Sequence, residues 1–218
     1  MHIMKPDQLN EVIVGLDPGK KGGAAILFDD GVAAVYDVPT IQIKKKSGKK
    51  EKNITEFDLL GMYNIFSPFI KVFQKYCSIE KVGAMPGEGR TSTFNFGKGV
   101  GYWEMAATAC GFPISEIRPQ SWKEHYPEFK ADPQIADYND SLKALRAQKK
   151  STKDKEMKNR IEKEISSINR KLKERVKDVS REVASELFPD IADSFKRKKD
   201  DGKSDALLIA KYHRDSMR

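Results

Sequence analysis

The sequence predicts an α/β protein: a mixed five-stranded sheet flanked by helices, with a long charged helical-hairpin insertion before the last helix. Three observations carry this reading. The first forty residues hold three short apolar, β-branched segments separated by glycine-containing turns. Beyond them, helical and strand-like spacings alternate as far as residue 117. Residues 137–187 then contain no glycine or proline and are dense in Lys, Glu and Arg.

Residues 11–17 read as a buried strand that closes on Asp17 and is ended by Pro18-Gly19. Gly22 to Phe28 reads as a second strand, turning at Asp29-Asp30-Gly31, and Val32 to Val38 as a third. Tight turns make the three antiparallel. Lys44 to Lys52 reads as a basic, mobile loop with Gly48 at its centre. Over 55–75, Phe57, Leu60, Ile65, Phe69, Val72 and Phe73 recur at helical spacing, with Thr55 as N-cap and Pro68 as a kink or break. Residues 77–82 form a fourth strand, which carries Glu80. The polar stretch from Met85 to Thr93 is expected to be loop. A small-residue helix follows over roughly 95–110, with Gly97, Gly99 and Gly101. Each helical glycine costs about 1 kcal/mol against alanine, so the row implies close approach of another backbone. Ile114 to Ile117 is a short fifth strand, stopped by Arg118-Pro119.

From Met157 to Leu187 the apolar positions are 157, 161, 165, 168, 172, 176, 179, 183 and 187. The 4-4-3 spacing is an 11-residue period, a nearly straight stripe with a slight right-handed drift. It predicts one long helix over about 153–187, with a partner helix near 137–149. Such an arm is an inert prop, a DNA grip or a dimerisation element. Phe188-Pro189 stops the helix, Lys196 to Lys203 reads as a charged loop, and 204–213 as the last helix. The expected division is a main domain over 9–126 and 178–215, with 131–177 as the insertion.

The chain has 218 residues, a net charge of +8 and a pI of about 9.3. A basic excess favours nucleic acid, an anionic membrane or an acidic protein as partner. No apolar run approaches the ~20 residues of a membrane span, and the N-terminus lacks a signal-peptide pattern. Cys77 and Cys110 are too few for a disulfide framework or a zinc site, and both sit in apolar surroundings. The expectation is a soluble intracellular protein with two buried thiols in a reducing compartment.

Three carboxylates stand in apolar settings: Asp17 at the end of the first strand, Glu80 in Ile79-Glu80-Lys81-Val82, and Asp205 at the head of the last apolar helix. A carboxylate so placed is costly unless it is paired or bound to metal. On a basic chain, three of them suggest hard divalent cations and a polyanionic substrate, which is nuclease chemistry. The element order matches the ribonuclease H-like arrangement, with the first strand central, the fourth beside it and the last helix packed on the sheet. There Asp17, Glu80 and Asp205 converge. Two Mg²⁺ ions between such carboxylates clamp an in-line attack of water on a phosphodiester, and Mn²⁺ is expected to substitute. The absence of a His/Cys cluster fits an oxygen-ligated metal.

Gly15-Leu16-Asp17-Pro18-Gly19, the Glu80 strand and Asp201-Gly202-Lys203-Ser204-Asp205-Ala206-Leu207 resemble the RuvC-type Holliday junction resolvases, in their phage and poxvirus-like branch. Met85-Pro86-Gly87, Phe94-Asn95-Phe96-Gly97 and Pro119-Gln120-Ser121-Trp122-Lys123 share the resemblance, which covers 11–125 and 178–213. It implies a homodimer that nicks a four-way DNA junction symmetrically, and four acidic metal ligands. Asp17, Glu80 and Asp205 transfer directly. The fourth is Asp201, one helical turn before Asp205, with Asp200 as the alternate. Lys203 is a candidate for positioning a phosphate or the attacking water. Lys20, Lys21, Arg90, Thr91, Ser92, Phe94, Lys98 and Lys123 are the other candidate DNA contacts, with Phe94 or Phe96 stacking on an unpaired base or packing in the core. Trp122 is expected to be buried and His125 structural. Where bacterial relatives place a wedge aromatic after the catalytic Glu, this chain has Gly83.

Three other readings compete. A broader nuclease of the same fold would cut flaps, forks or RNA–DNA hybrids. An actin-like nucleotide-binding domain would need a second, similar half, and the chain has no internal repeat. A non-catalytic junction-binding scaffold would be expected to have lost the acids.

Overall fold

The computed structural model describes residues 9–47, 50–83 and 89–217. Its central sheet is built from β1 (Glu11–Asp17), β2 (Gly23–Phe28), β3 (Ala33–Asp37), β6 (Gln74–Glu80) and β7 (Ile114–Ile117). The strand order is β3-β2-β1-β6-β7. The first three strands pair antiparallel, from Val12↔Phe28 to Asp17↔Gly23 across β1 and β2. β6 runs parallel to β1, with Glu11↔Gln74 through Leu16↔Ile79, and β7 runs parallel to β6. This is the mixed five-stranded sheet that the element order predicts, with the first strand central and the strand carrying Glu80 beside it. The parallel pairing sets the ends of β1 and β6 side by side, so Asp17 and Glu80 emerge from one end of the sheet.

The continuous apolar run of β1 has a physical cause, because both faces of the strand are covered. Val12, Val14 and Leu16 face one core with Ile26, Cys77 and Ile79, closed by α1 (Leu59–Phe66) and α2 (Arg90–Ala109) through Met62, Phe66, Trp103 and Ala107. Ile13 faces the other core with Ala25 and Leu27, closed by α3 (Pro119–His125), α6 (Lys155–Leu187) and α7 (Asp201–Ser216). Both cysteines are buried free thiols. Among the described residues no helix is long and apolar enough to cross a membrane.

The last helix lies almost on the sheet backbone. A Cβ on Gly15 would stand 2.0 Å from the Ala206 carbonyl oxygen and 2.9 Å from the Ala210 Cβ. One on Gly202 would stand 2.4 Å from the Gly22 carbonyl carbon, and these two residues form a parallel bridge. Glycine at these positions lets α7 begin directly over the turn that leaves β1.

Short helices α3 and α4 (Glu128–Ala131) lead into the helical hairpin of α5 (Pro133–Ser151) and α6. Asp132 caps α5, accepting from the Ile135 N–H at 2.9 Å, and also accepts from Arg175 of α6 at 2.7 Å. Arg175 donates as well to Glu182 at 2.8 Å. α6 is one unbroken helix of 33 residues that passes through positions 177 and 178. Its stripe is buried at Ile161, Val179 and Val183 and is solvated at Met157 and Leu187.

Four segments differ from expectation. Lys44 to Ser47 and Lys50 to Lys52 are strand rather than loop, with Gly48 and Lys49 outside the described residues: β4 (Thr40–Ser47) and β5 (Lys50–Phe57) pair antiparallel as a separate two-stranded ribbon. The alternation of Ile41 and Ile43, with Ile54 opposite, carries that signal, and the surrounding lysines obscure it. Thr55 therefore lies in a strand, and the N-cap is Asp58, which accepts from the Gly61 N–H at 3.0 Å. The helix stops at Phe66, Pro68 sits in a 3-10 turn, and β6 begins at Gln74 rather than 77. Helix α2 starts at Arg90, within the segment expected to be loop, whose residues 85–88 lie outside the described set. The segment at 196–203 is a 3-10 turn over Lys198–Asp200 running straight into α7. Of the α2 glycines, Gly99 meets the predicted close backbone, with its absent Cβ 2.6 Å from the Pro18 carbonyl oxygen, whereas Gly97 and Gly101 face open space.

Candidate active site

Asp17 closes β1 and lies half-buried at the head of the Pro18–Gly22 turn. The Gly22 N–H donates to the Gly19 carbonyl at 2.8 Å, and a Cβ on Gly22 would lie 2.8 Å from the Asp17 Cγ. The turn thus wraps around the carboxylate, and the Gly19 N–H donates to it. Burial, followed by the negative charges of Asp205 and Glu80, pushes the Asp17 carboxyl well above its usual range, and Asp201 adds to the push. Asp205 is raised to about 6, first by burial. Lys123 and Ser180 work against that rise, while Glu80 and Asp201 add to it. Asp205, Glu80 and Asp201 thus lie within electrostatic reach of Asp17, and Glu80 and Asp201 within reach of Asp205.

Each of the three outer carboxylates is held by a donor. The Trp122 indole Nε1–H donates to Glu80 Oε1 at 3.1 Å, from a fully buried ring. Ser180 of α6 donates its hydroxyl to Asp205 Oδ1. Lys177, one turn earlier on α6, forms an ion pair with Asp201 Oδ2. Burial would lower the Lys177 ammonium, but hydrogen bonding to Asp201 and the charges of Asp205 and Asp17 hold it above its ordinary value. Among the described residues no group of three or more His, Cys, Asp or Glu side chains stands close enough together to hold a metal ion as the side chains are now placed. The chemistry of the donor set suits a hard divalent cation: four carboxylates, no imidazole or thiolate, with Asp17 placed among like charges.

The neighbouring acid behaves otherwise. Asp200 is fully buried and turned away, accepting from Arg197 Nη2 at 2.8 Å and pairing with Lys203 Nζ at 3.0 Å. Burial alone would raise its carboxyl, but these two cations hold it well below the usual range. Asp201, and not Asp200, joins the cluster. Lys203, the candidate for positioning a phosphate or water, is itself buried, with its ammonium 3.0 Å from Asp200 and 3.9 Å from Asp37.

The remaining candidates divide. Lys123 stands 4.7 Å over the Trp122 ring, and its charge reaches Asp205. Lys20, on the turn after Asp17, donates to the Thr55 carbonyl at 2.6 Å and pairs with Glu56 at 3.4 Å. Lys21 is exposed. Lys98 lies 3.9 Å from Glu56 and within 6.0 Å of the Phe94 ring. Phe94 is 69% exposed, whereas the Phe96 ring packs on Gly19. Thr91 is exposed on the first turn of α2, and the side chains of Arg90 and Ser92 lie outside the described set. The His125 Nε2–H donates to the Asp215 carboxylate at 2.9 Å, and the ring takes no part in the cluster.

Sequence reasoning missed Lys177 and Ser180. The signal was present, because Ser180 falls on the buried stripe between Val179 and Val183 and is 1% exposed. A hydroxyl inside an apolar face needs a partner, and a residue three positions earlier shares its side of the helix.

No protein-family model and no curated protein matches the chain. Among solved structures, the RuvC of T. thermophilus in complex with a Holliday junction substrate is similar at a TM-score of 0.46 and 11% identity, covering 95% of each chain. A second Thermus thermophilus RuvC structure aligns at a TM-score of 0.30 and 14% identity, over 52% of this chain and 67% of that one.

Proposed function

We propose that this protein is a Mg²⁺-dependent endonuclease that resolves four-way DNA junctions. The observation that supports it most is the gathering of Asp17, Glu80, Asp201 and Asp205 at one end of the sheet, on a chain of net charge +8. Those four carboxylates would hold the cations. Divalent metal bound there supplies an activated water and a stabilised leaving oxygen for phosphodiester hydrolysis.

The protein's own groups prepare that site. Trp122 and Ser180 orient the carboxylates of Glu80 and Asp205 by single hydrogen bonds. Burial holds the Asp205 carboxyl up at about 6, and cationic charge entering the cluster would bring it down. Lys177 and Lys123 bring positive charge to the rim, where a phosphate has to approach acids that would otherwise repel it. Lys20 and Lys21 on the turn after β1, and Arg90, Thr91, Ser92, Phe94 and Lys98 on α2, would contact the DNA strands, with the exposed Phe94 ring stacking on a base. Paired symmetric nicks would come from a homodimer in which each copy brings its own cluster. The helical hairpin of residues 131–177 would be an appendage to the nuclease domain.

The test is cleavage of a mobile four-way junction, beside a matched fork and a linear duplex, by wild type and Asp17→Asn with and without Mg²⁺. Paired symmetric nicks in the junction, abolished in the variant, are expected. Equal cutting of fork and junction would make it a general branch nuclease, and tight binding without any cutting would make it a scaffold.

A further inference from the structure

The β4–β5 ribbon has no part in the site as described, yet it concentrates charge. Residues 40–57 carry six lysines against two glutamates. Both faces are solvated: residues 41–46, 51–53 and 55 are all exposed. A bare two-stranded hairpin is marginal in water, so a ribbon of this length with no cover on either face is expected to meet a partner.

The register identifies the partner's chemistry. Lys45 stands directly opposite Lys52, and opposed like charges destabilise a strand pair. Lys44 faces Asn53, and only Lys46 has an acid opposite, Glu51. Among the described residues, Lys44, Lys45, Lys46 and Lys52 form no ion pair, whereas Lys20 and Lys98 at the root share Glu56. The free ribbon therefore holds repulsion that a polyanion would relieve. Its root is fixed beside the catalytic turn: Lys20 donates to the Thr55 carbonyl, and the Phe57 ring packs on Gly99, whose missing Cβ would touch Pro18. Eight residues per strand at about 3.3 Å each give a finger of about 26 Å.

We propose that this ribbon grips the phosphate backbone of the duplex arm adjoining the cleaved strand, in or along its major groove. A two-stranded ribbon fits that groove, and the alternating side chains present lysines from both faces to the groove walls. The proposal rests on the DNA-nuclease reading, and it assigns the ribbon a role in affinity and placement rather than in chemistry.

The test compares wild type with a variant carrying Lys44→Gln, Lys45→Gln, Lys46→Gln and Lys52→Gln, and with the matching four Lys→Arg changes. Binding of a fluorescent four-way junction in Ca²⁺ is measured across a salt series, with sedimentation of the free proteins alongside. Each phosphate that a lysine no longer neutralises lowers the slope of log K against log salt by about 0.9. The Gln variant should therefore show a slope shallower by roughly 2 to 4, and the Arg variant should keep the full slope. Single-turnover cleavage at saturating DNA should stay within about threefold of wild type, because none of the four lysines joins the acid cluster. An unchanged slope in the Gln variant would overturn the proposal, and an unchanged slope with altered sedimentation would make the ribbon a contact with a second copy of the chain. Failure of the nuclease reading would look different: wild type would bind with the full slope and never cut.

Discussion

Asp205→Asn should stabilise the metal-free protein near neutral pH. Asp205 is raised from 3.8 to about 6, chiefly by burial. Between those two pH values the folded state binds more protons than the unfolded state, so stability falls as pH rises through the window. The loss is absent below about pH 3.8 and complete above about pH 6. At about 1.4 kcal/mol per pH unit, its ceiling is about 3 kcal/mol. Partial solvent access and the weaker acceptor that an amide offers Ser180 reduce the expected gain to about 1–3 kcal/mol. Asn keeps an acceptor for Ser180 and carries no charge, so the variant escapes the loss. Asp17 shifts in the same direction, so the two carboxyls titrate as a coupled pair and the transition will be broad. The assay is urea unfolding in EDTA at pH 4 and pH 7.5. The variant should match wild type at pH 4 and exceed it at pH 7.5. Mg²⁺ at a hundredfold its Kd should then stabilise wild type by about 2.7 kcal/mol and the variant by less. If Asp205→Asn is equally destabilised at both pH values, Asp205 is a structural acceptor and the reasoning fails.

Removing Lys177 takes a competing cation off Asp201, so Lys177→Ala should tighten Mg²⁺ binding by about 1.5- to 5-fold by calorimetry, the scale of one exposed ion pair. Trp122→Phe keeps the buried ring but removes the donor to Glu80, which should cost about 1–2 kcal/mol in stability and slow single-turnover cleavage about tenfold. The glycines separate by their surroundings: Gly15→Ala drives a Cβ into the Ala206 carbonyl and should cost about 3 kcal/mol or more, whereas Gly97→Ala enters open space and should add up to about 1 kcal/mol, both read from urea midpoints.

Much of the sheet is legible locally. The run Val12-Ile13-Val14 with a glycine turn after it, and Ile114-Ser115-Glu116-Ile117 before a proline, carry their conformations in nearest-neighbour chemistry. The acids at strand ends are legible for the same reason, since a carboxylate that stops an apolar run needs a partner. The ribbon is hidden because its lysines weigh as loop residues one by one, and only cross-strand pairing exposes the Ile41, Ile43 and Ile54 alternation.

The sequence alone determined the five strands of the central sheet, the charge and the acids' positions along the chain, because those depend on short-range pattern. Tertiary structure decided which acid belongs to the cluster. Asp200 and Asp201 are adjacent in sequence, but helix phase separates them: the contact of Gly22 with Gly202 seats the first turn of α7 so that Asp201 and Asp205 lie toward Asp17. Asp200 is left outside, neutralised by Arg197 and Lys203. The same packing brings Lys177 and Ser180 to the acids from a helix that the sequence places far from the first strand, and no local pattern encodes a distance across that gap.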